Sequence, residues 1–310
     1  MAKLLDTALS IKNNYNNRPW LYYHFAERVL APIHNIVYSD SDGIDIVEED
    51  WDNLLLLDAC RYDLFEEVAD ISQFDSYSVV ESKGSHTSEW TSKNFTPPAK
   101  DNLVYVNSSP EVSRNMGTSV TKFIEAWRTD FDPDKRTVPA ENIADRARSA
   151  KEENPHCRLL VHFLQPHYPF INHPELQFTS FDSTEEWDIS SNSEIGNVWD
   201  AVLEGVVSVE DCWKGYKDNL EYVLEIAIEL ANELPGKTVI TSDHGNLIGE
   251  KPKFSPIKIY GHPKGIHHEH LRKVPWAVID SDRSSNRLDQ DQKEDSTDIQ
   301  EQLKALGYTK

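Results

Sequence analysis

The sequence is poor in cysteine, in long apolar runs and in basic side chains. Its three cysteines, Cys60, Cys157 and Cys212, are odd in number and widely spaced, so we expect free thiols in a reducing compartment. The longest apolar runs, Leu54–Leu57 and Leu159–Leu164, fall well short of the ~20 residues that a membrane span needs. The N-terminus has no apolar stretch ahead of a small-residue cleavage site. We therefore expect a cytoplasmic protein without a signal peptide or a membrane span.

The scarcity of basic residues gives the chain a large negative charge. It has 31 Lys and Arg against 53 Asp and Glu, for a net charge of −22. Phosphate backbones attract basic faces, so this charge argues against non-specific nucleic-acid binding. Such an acid excess is typical of proteins kept soluble in strong salt, where repulsion is screened. We expect a halophilic archaeal source; an ordinary acidic cytosolic protein is the alternative.

The chain has enough apolar material for a core, since 38% of its residues are hydrophobic. Short apolar runs alternate with helical patterns, which predicts a mainly parallel sheet covered by helices on both faces. The expected strands are Asn53–Asp58, Ser76–Val80, Leu103–Val106, Arg158–Leu164, Lys237–Thr241 and Val274–Asp280. The expected helices are Arg61–Ala69, Ser119–Arg128, Ala140–Glu152 and Ser208–Leu234, with a short helix or turn after the polar loop Glu81–Ser88.

The pattern also predicts how the chain is organised. Residues 1–50 are expected to form a helical lead-in and an acidic loop, and residues 51–280 one catalytic domain. Residues 172–197, rich in Ser, Asp and Glu, look like an insertion in that domain. Residues 281–310 are polar and mixed in charge, which predicts a flexible linker before a short C-terminal helix.

Polar residues at strand ends are the first candidates for chemistry, because ligands bind beyond the carboxyl ends of parallel strands. Asp58 follows four leucines, and the pair Asp243-His244 follows Lys237–Thr241. A buried carboxylate there needs a metal or cationic partner to stay ionised. The neighbouring Gly245 would allow close backbone approach. The alternatives are an Asp that caps a helix and a solvated His.

Five strings occur in a particular order along the chain. They are Leu57–Asp63 (LDACRYD), Gly84–Trp90 (GSHTSEW), His162–Phe170 (HFLQPHYPF), Ser242–Gly245 (SDHG) and Tyr260–Pro263 (YGHP). In this order the sequence resembles the alkaline phosphatase superfamily over residues 52–280. The nearest branches are the sulfatases and the phosphoethanolamine and phosphoglycerol transferases. The resemblance implies an α/β/α sandwich with a mainly parallel central sheet.

The resemblance also implies a metal site. Asp58 matches the family's early metal-ligand acid, and Asp243 and His244 match its late Asp-His pair. His262 resembles the further histidine that follows this pair in the transferase branch. Zinc suits a shell that contains histidine, whereas manganese or calcium suits an oxygen-rich one. Zinc or manganese is favoured.

The nucleophile that the resemblance implies lies in the Gly84–Trp90 string. Thr87 is the favoured residue and would also contact the metal; Ser85 and Ser88 are the alternatives. His167 resembles a substrate-binding histidine or a ligand of a second ion. A histidine near the leaving oxygen, His167 or His262, would donate the proton to it.

Two departures from the family matter. No C/S-x-P-x-R string is present, which disfavours a formylglycine sulfatase. Two-metal phosphatases have an Asp four residues before a His, whereas Phe163 stands four before His167. The number of ions, one or two, therefore stays open.

The predicted function is a metal-dependent hydrolase of phosphate or sulfate esters, acting on a small molecule or on a glycan or lipid head group through a threonine nucleophile. One alternative is a soluble transferase that passes a phospho group to an alcohol on a glycan or lipid head group. The other is a non-catalytic binding protein that retains the fold.

Further basic residues lie near these strings. Lys264 and Arg272 are candidates for holding an anionic substrate. The string His267–His270 (HHEH) is read equally well as a metal cluster or as a solvated loop. Arg61 would bind a phosphate or simply open the helix after the first strand, and the second interpretation is favoured.

Overall fold

The computed structural model describes residues 16–38, 43–178 and 196–281. The predicted C-terminal helix, nearly all of the predicted linker and most of the predicted insertion lie outside the described residues.

A seven-stranded sheet forms the centre of the molecule, with strand order β2-β9-β6-β1-β5-β3-β4. Its strands are β1 (Asn53–Leu57), β2 (Ser76–Glu81), β3 (Lys100–Asn107), β4 (Val120–Glu125), β5 (Arg158–Phe163), β6 (Lys237–Thr241) and β9 (Lys273–Asp280). β9 pairs antiparallel with β2 and β6, and the other pairings are parallel. β7 (Leu247–Glu250) and β8 (Ile259–Gly261) form a separate antiparallel pair.

Helices connect and cover these strands. The α-helices are α1 (Arg18–Phe25), α2 (Ala31–Val37), α3 (Tyr62–Val68), α4 (Thr87–Asn94), α5 (Pro110–Asn115), α6 (Ala140–Glu153), α7 (Val198–Leu203), α8 (Val209–Glu233) and α9 (Glu269–Arg272). A π-helix, Ala26–Leu30, joins α1 to α2, and 3-10 turns lie at Ile71–Gln73, Ala126–Arg128 and Pro174–Leu176. In the described part of the chain, no helix is long and apolar enough to cross a membrane.

The central strand β1 explains why the sheet is covered on both faces. Its side chains alternate between the faces, and all five residues are buried. Leu55 and Leu57 belong to the larger core, which includes residues of α6 and α8. Leu54 and Leu56 belong to a second core on the opposite face with Trp90 of α4. The predicted mainly parallel sheet with helices on both faces is therefore confirmed.

The prediction of a helix over Ser119–Arg128 is wrong. This segment forms the edge strand β4, followed by the 3-10 turn Ala126–Arg128. Phe123 packs on one core and its neighbour Ile124 on the other. An edge strand covered on both faces can place apolar residues at three- and four-residue spacing, which also fits a helix.

The helical lead-in packs beside the two-stranded sheet. Tyr22, Ala26 and Leu30 form its buried face and contact a small third core that includes Leu247 and Ile259. The Nε2 atom of His34 lies 2.8 Å from the carbonyl oxygen of Lys253. These contacts fix α1 and α2 against the segment that connects β7 to β8.

Candidate active site

Two carboxylates meet where β1 and β6 end. Asp58 follows β1 directly, and Asp243 lies two residues after β6, its parallel neighbour. The Nε2 atom of His244 lies 3.4 Å from Asp243 Oδ2 and 3.8 Å from Asp58 Oδ1. Within the described ranges, the ligand atoms of Asp58, Asp243 and His162 lie within 4.8 Å of one another. The structure thus brings the two predicted strand-end acids together.

Each of these buried carboxylates has one oxygen held by the protein and one that is not. Asp243 Oδ1 accepts hydrogen bonds from the backbone N–H groups of Ala59 at 3.1 Å and His244 at 2.9 Å. Among the described residues, Asp58 Oδ1 and Asp243 Oδ2 have no hydrogen-bond partner. A buried carboxylate oxygen without a partner is costly, and a divalent cation would satisfy both. The donor set therefore fits a metal ion.

His162 is a site residue that the sequence analysis did not assign. Its Nε2 lies 3.2 Å from Asp58 Oδ2, and its Nδ1 lies 3.0 Å from the Tyr105 hydroxyl. A carboxylate can only accept, so Nε2–H donates to Asp58 and the neutral ring accepts from Tyr105. This bond fixes the Asp58 carboxylate while leaving Oδ1 unpartnered. The available signal was a histidine at the penultimate position of an apolar strand.

The Asp58–His162 contact also sets the charge of both groups. Burial alone would raise the pKa of Asp58, but the His162 hydrogen bond and the nearby charge of His167 outweigh it and lower that pKa. Burial likewise acts to lower the pKa of His162, and the Asp58 carboxylate outweighs it and raises that pKa. Asp58 is therefore held in its ionised form.

Thr87 lies next to His244, at the first position of α4. Its Oγ1 is 3.1 Å from His244 Nε2. His244 Nδ1 lies 2.8 Å from the carbonyl oxygen of Gly245, so Nδ1 carries the hydrogen in the neutral ring. His244 Nε2 therefore presents a lone pair toward the Thr87 hydroxyl and the two carboxylates.

The two alternative hydroxyls have other partners. Ser85 Oγ bonds to Glu89 at 3.1 Å and to the carbonyl oxygen of Pro263 at 3.2 Å. Ser88 Oγ lies 3.0 Å from Nδ1 of His86, which also accepts from the Ser88 backbone N–H and so caps α4. Of the three candidates, Thr87 is the one whose hydroxyl contacts His244.

Gly245 fits the expectation of close backbone approach. A Cβ at this position would overlap the carbonyl oxygen of His270. The Gly245 N–H also donates to the Leu271 carbonyl at 2.9 Å. The glycine therefore lets the segment around α9 pack directly behind Asp243 and His244.

Three half-buried histidines, His86, His167 and His262, lie beside these buried residues, and we call them the rim histidines. The His262 ring centroid lies 5.0 Å from those of His86 and His167 and 4.6 Å from that of His244. Burial and the charge of His244 lower the pKa of His86 to about 3. The same two causes hold the pKa of His262 well below its usual range. His86, like His162, was not assigned from the sequence.

A proton lies between two of the rim histidines. Nε2 of His167 is 2.9 Å from Nε2 of His262. His167 Nδ1 donates to the carbonyl of Tyr168, so in the neutral pair His262 donates through Nε2. His262 Nδ1 is then a buried lone pair, and it has no partner among the described residues.

The remaining predicted residues lie outside this group. Lys264 is exposed, two residues after His262. Arg272 is buried, and its Nε donates to the Ser82 carbonyl at 2.6 Å. It lines a cavity of about 280 Å³ that Ser85 also lines.

The His267–His270 string does not converge on one point. The His267 ring stacks on Tyr38 with centroids 4.2 Å apart, whereas His270 Nδ1 lies 2.9 Å from Glu250 Oε1. Arg61 immediately precedes α3, which agrees with the favoured interpretation that it opens the helix. Cys60, Cys157 and Cys212 are free thiols, as expected.

No protein-family model and no curated protein matches the sequence. Among solved structures, the chain is similar to the C-terminal periplasmic domain of EptC from Escherichia coli in complex with Zn. That match has 14% identity and a TM-score of 0.45, and covers 77% of this chain and 76% of that one. A protein in the alkaline phosphatase superfamily from Vibrio parahaemolyticus matches at 10% identity and TM-score 0.39, over 77% and 63% of the two chains. The lipoteichoic acid synthase LtaP from Listeria monocytogenes matches at 13% identity and TM-score 0.36, over 80% and 71%. At such low identities and TM-scores, these similarities assign no activity to the chain.

Proposed function

We propose that the protein is a metal-dependent hydrolase of phosphate or sulfate esters with Thr87 as its nucleophile. One observation carries the proposal. Two buried carboxylates, Asp58 and Asp243, each keep an oxygen that no described residue hydrogen-bonds, beside the Nε2 atom of His244, and that same Nε2 contacts the Thr87 hydroxyl.

Asp58, Asp243, His244 and Thr87 would hold the ion. The buried Nδ1 lone pair of His262 makes this residue a further proposed ligand. The ion would neutralise the two carboxylates, lower the pKa of the Thr87 hydroxyl and offset the charge of the attacked ester. Zinc suits a shell with imidazole nitrogens, and manganese is the alternative.

The other residues around Thr87 have complementary roles in this proposal. Thr87 Oγ1 forms a bond to phosphorus or sulfur as the ester oxygen leaves. His167 takes up the proton that the Thr87 hydroxyl loses and passes it to that oxygen, and its Nε2, which accepts a hydrogen bond from His262, is the proposed carrier. Water then bonds to phosphorus or sulfur and breaks the bond to Thr87, and one of its protons passes through His167 to the Thr87 oxygen. The N-terminal end of α4, at which Thr87 lies, favours the negative charge of the transferred group.

Substrate binding on so acidic a protein needs local positive charge. Lys264, Arg272 and the rim histidine His167 are the proposed contributors. A transferase would share the first step and differ in the second, where an alcohol replaces water. Hydrolase and transferase therefore differ in the acceptor and share the residues around Thr87.

The test is metal content combined with turnover. The purified protein is analysed for bound metal and assayed with an aryl phosphate, a phosphodiester and an aryl sulfate, with and without added zinc or manganese. We expect bound metal and metal-dependent hydrolysis of one ester class, and neither in Asp243→Asn. Turnover that appears only when an alcohol is added would identify a transferase. A protein that takes up no metal would refute the proposal.

A further inference from the structure

Exposed apolar side chains are concentrated in one region of the molecule. Seven of the nine large hydrophobic residues that are exposed in the described chain lie on two segments. Five are on the lead-in helices: Leu21, Val29, Ile33, Ile36 and Val37. Two are on the loop between β7 and β8: Phe254 and Ile257. Such clustering differs from the scattered exposed residues that ordinary surfaces carry.

The two segments form a single surface. His34 bonds to the carbonyl oxygen of Lys253, and its ring packs edge-on against Phe254 with centroids 6.1 Å apart. Residues of the lead-in at four-residue spacing, Tyr22, Ala26, Leu30 and His34, are buried against the rest of the protein. The apolar residues named above are on the outer side, and Ile36 is 79% exposed.

This surface has the opposite charge to the rest of the chain. Residues 16–38 and 251–264 contain six Lys and Arg and one acid, Glu27, a net charge of +5. The remainder of the chain therefore has a net charge of −27. The cations are Arg18, Arg28, Lys251, Lys253, Lys258 and Lys264, and all six are exposed. We call this the basic apolar surface.

We propose that the basic apolar surface binds an anionic lipid bilayer. Aliphatic and aromatic side chains surrounded by lysine and arginine are the pattern by which a helix lies in a membrane interface, with apolar groups among the acyl chains and cations at the head groups. A nucleic acid would be attracted by the cations but would leave the aliphatic side chains exposed. A second copy of the chain would bring two surfaces of charge +5 together. A bilayer satisfies both features.

The surface lies next to the candidate active site along the chain. The loop that carries Phe254 and Lys258 continues through β8 to the rim histidine His262. Bound in this way, the protein would hold the rim histidines near the plane of the head groups. Lipid binding is measured without turnover, so its outcome is independent of the proposed catalysis.

The experiment is co-sedimentation of the full-length protein with vesicles. Vesicles of phosphatidylcholine alone are compared with vesicles of phosphatidylcholine and phosphatidylglycerol, at a salt concentration at which circular dichroism shows a folded protein. We expect the protein to pellet with the anionic vesicles and to remain in solution with the neutral ones. A chain of net charge −22 would otherwise be repelled, so pelleting reports the local surface.

Matched variants locate the contact. Ile36→Ser with Phe254→Ser should weaken binding at least tenfold, because both side chains are mostly exposed and would enter the acyl region. Val206→Ser is the control, since Val206 is 61% exposed and lies outside the surface. Lys253→Glu with Lys258→Glu should weaken binding at least about 25-fold at low salt, at about fivefold for each lysine lost. Lys214→Glu is its control.

Three results would overturn the proposal. The first is no pelleting with either type of vesicle. The second is equal pelleting of the wild type and both double variants. The third is a concentration-dependent dimer that the double variant Ile36→Ser with Phe254→Ser converts to a monomer, in a protein that does not pellet with either type of vesicle. The surface would then bind a second copy of the chain.

Discussion

Two clusters of carboxylate and imidazole begin just after strand β1, one at Asp58 and the other at Arg61. They differ in one component. The first, which we call the metal cluster after its proposed ligand, is Asp58, Asp243 and His244. The second, the arginine cluster, is Arg61, Asp63, Glu250 and His270. Each has two carboxylates and a histidine, and the sequence places Arg61 only three residues after Asp58. Only the arginine cluster contains a permanent cation.

In the arginine cluster the protein supplies its own neutralisation. Arg61 is 3% exposed, and it contacts Asp63 at 2.6 Å and Glu250 at 2.7 Å. Burial acts to raise the pKa of Glu250, but the His270 hydrogen bond and the Arg61 charge outweigh it and lower that pKa to about 2. In Asp63, burial is likewise outweighed by the Arg61 hydrogen bond, and the pKa is lowered. These acids already have their counterion.

In the metal cluster the described residues supply no arginine or lysine to the two carboxylates. Asp58 and Asp243 face histidines, and one oxygen of each has no partner in the described part of the protein. Two partly exposed acids are thus neutralised by the protein in one place, whereas two fully buried acids each keep an unsatisfied oxygen in the other. The absence of an arginine, rather than the presence of acids, therefore distinguishes the proposed ligand site from the structural ion pairs of Arg61.

The largest effect is expected from removing the proposed nucleophile. Thr87→Ala should lower turnover more than about a thousandfold, because no other hydroxyl among the described residues contacts the imidazole ring of His244. Steady-state assays of Thr87→Ala, Ser85→Ala and Ser88→Ala test this, with the last two expected to retain activity. If Thr87→Ala turns over normally and Ser85→Ala or Ser88→Ala does not, the nucleophile is misassigned.

The second-largest effect is expected from metal binding, which should stabilise the protein through the metal cluster and not through the arginine cluster. At a metal concentration about 100 times the dissociation constant, the wild type should gain about 3 kcal/mol of unfolding free energy. Asp63→Asn should keep that gain and Asp243→Asn should lose it. Denaturant titrations with and without metal measure the difference. An equal gain in both variants would place the ion elsewhere.

Without metal, Asp63→Asn should be destabilised and Asp243→Asn should not. In Asp63→Asn an amide N–H₂ would face a guanidinium donor, costing about 2 kcal/mol with Arg61 left short of an acceptor. In Asp243→Asn the amide oxygen could keep the bonds from Ala59 and His244 while a buried charge is removed. We expect its unfolding free energy to be unchanged or higher. Destabilisation by both variants in chelator would contradict the comparison.

The metal cluster could be predicted from the sequence where its residues directly follow recognisable strands. Asp58 and Asp243-His244 follow apolar runs, and parallel strands bring such ends together. The assignment of Thr87 as the nucleophile depended on the family resemblance, since nothing in the sequence spacing links Thr87 to His244. The structure supplies that link through the N-terminus of α4.

Other parts of the fold and site could not be predicted from local pattern. A histidine inside a strand, such as His162, has the same pattern whether it packs in a core or holds a carboxylate. His86 could not be distinguished from a loop residue, because its position depends on capping α4. β4 was mistaken for a helix because the pairing partner that makes it a strand, β3, lies elsewhere in sequence. The missing information is pairing between distant segments.

The smallest effect concerns the pH dependence of the arginine cluster. The folded pKa of Glu250, about 2, lies below its ordinary value of 4.5. A carboxyl with a lowered folded pKa contributes stability that is fully present above the unfolded pKa and is lost as the pH falls toward the folded one. Glu250 should therefore contribute about 2 kcal/mol above pH 5, allowing for its partial exposure, and lose it between pH 4.5 and 2.

Glu250→Gln should flatten the fall in unfolding free energy over that range, whereas the surface control Glu221→Gln should not. If the two variants titrate alike, Arg61 does not neutralise Glu250, and the contrast between the two clusters is weaker than their geometry indicates.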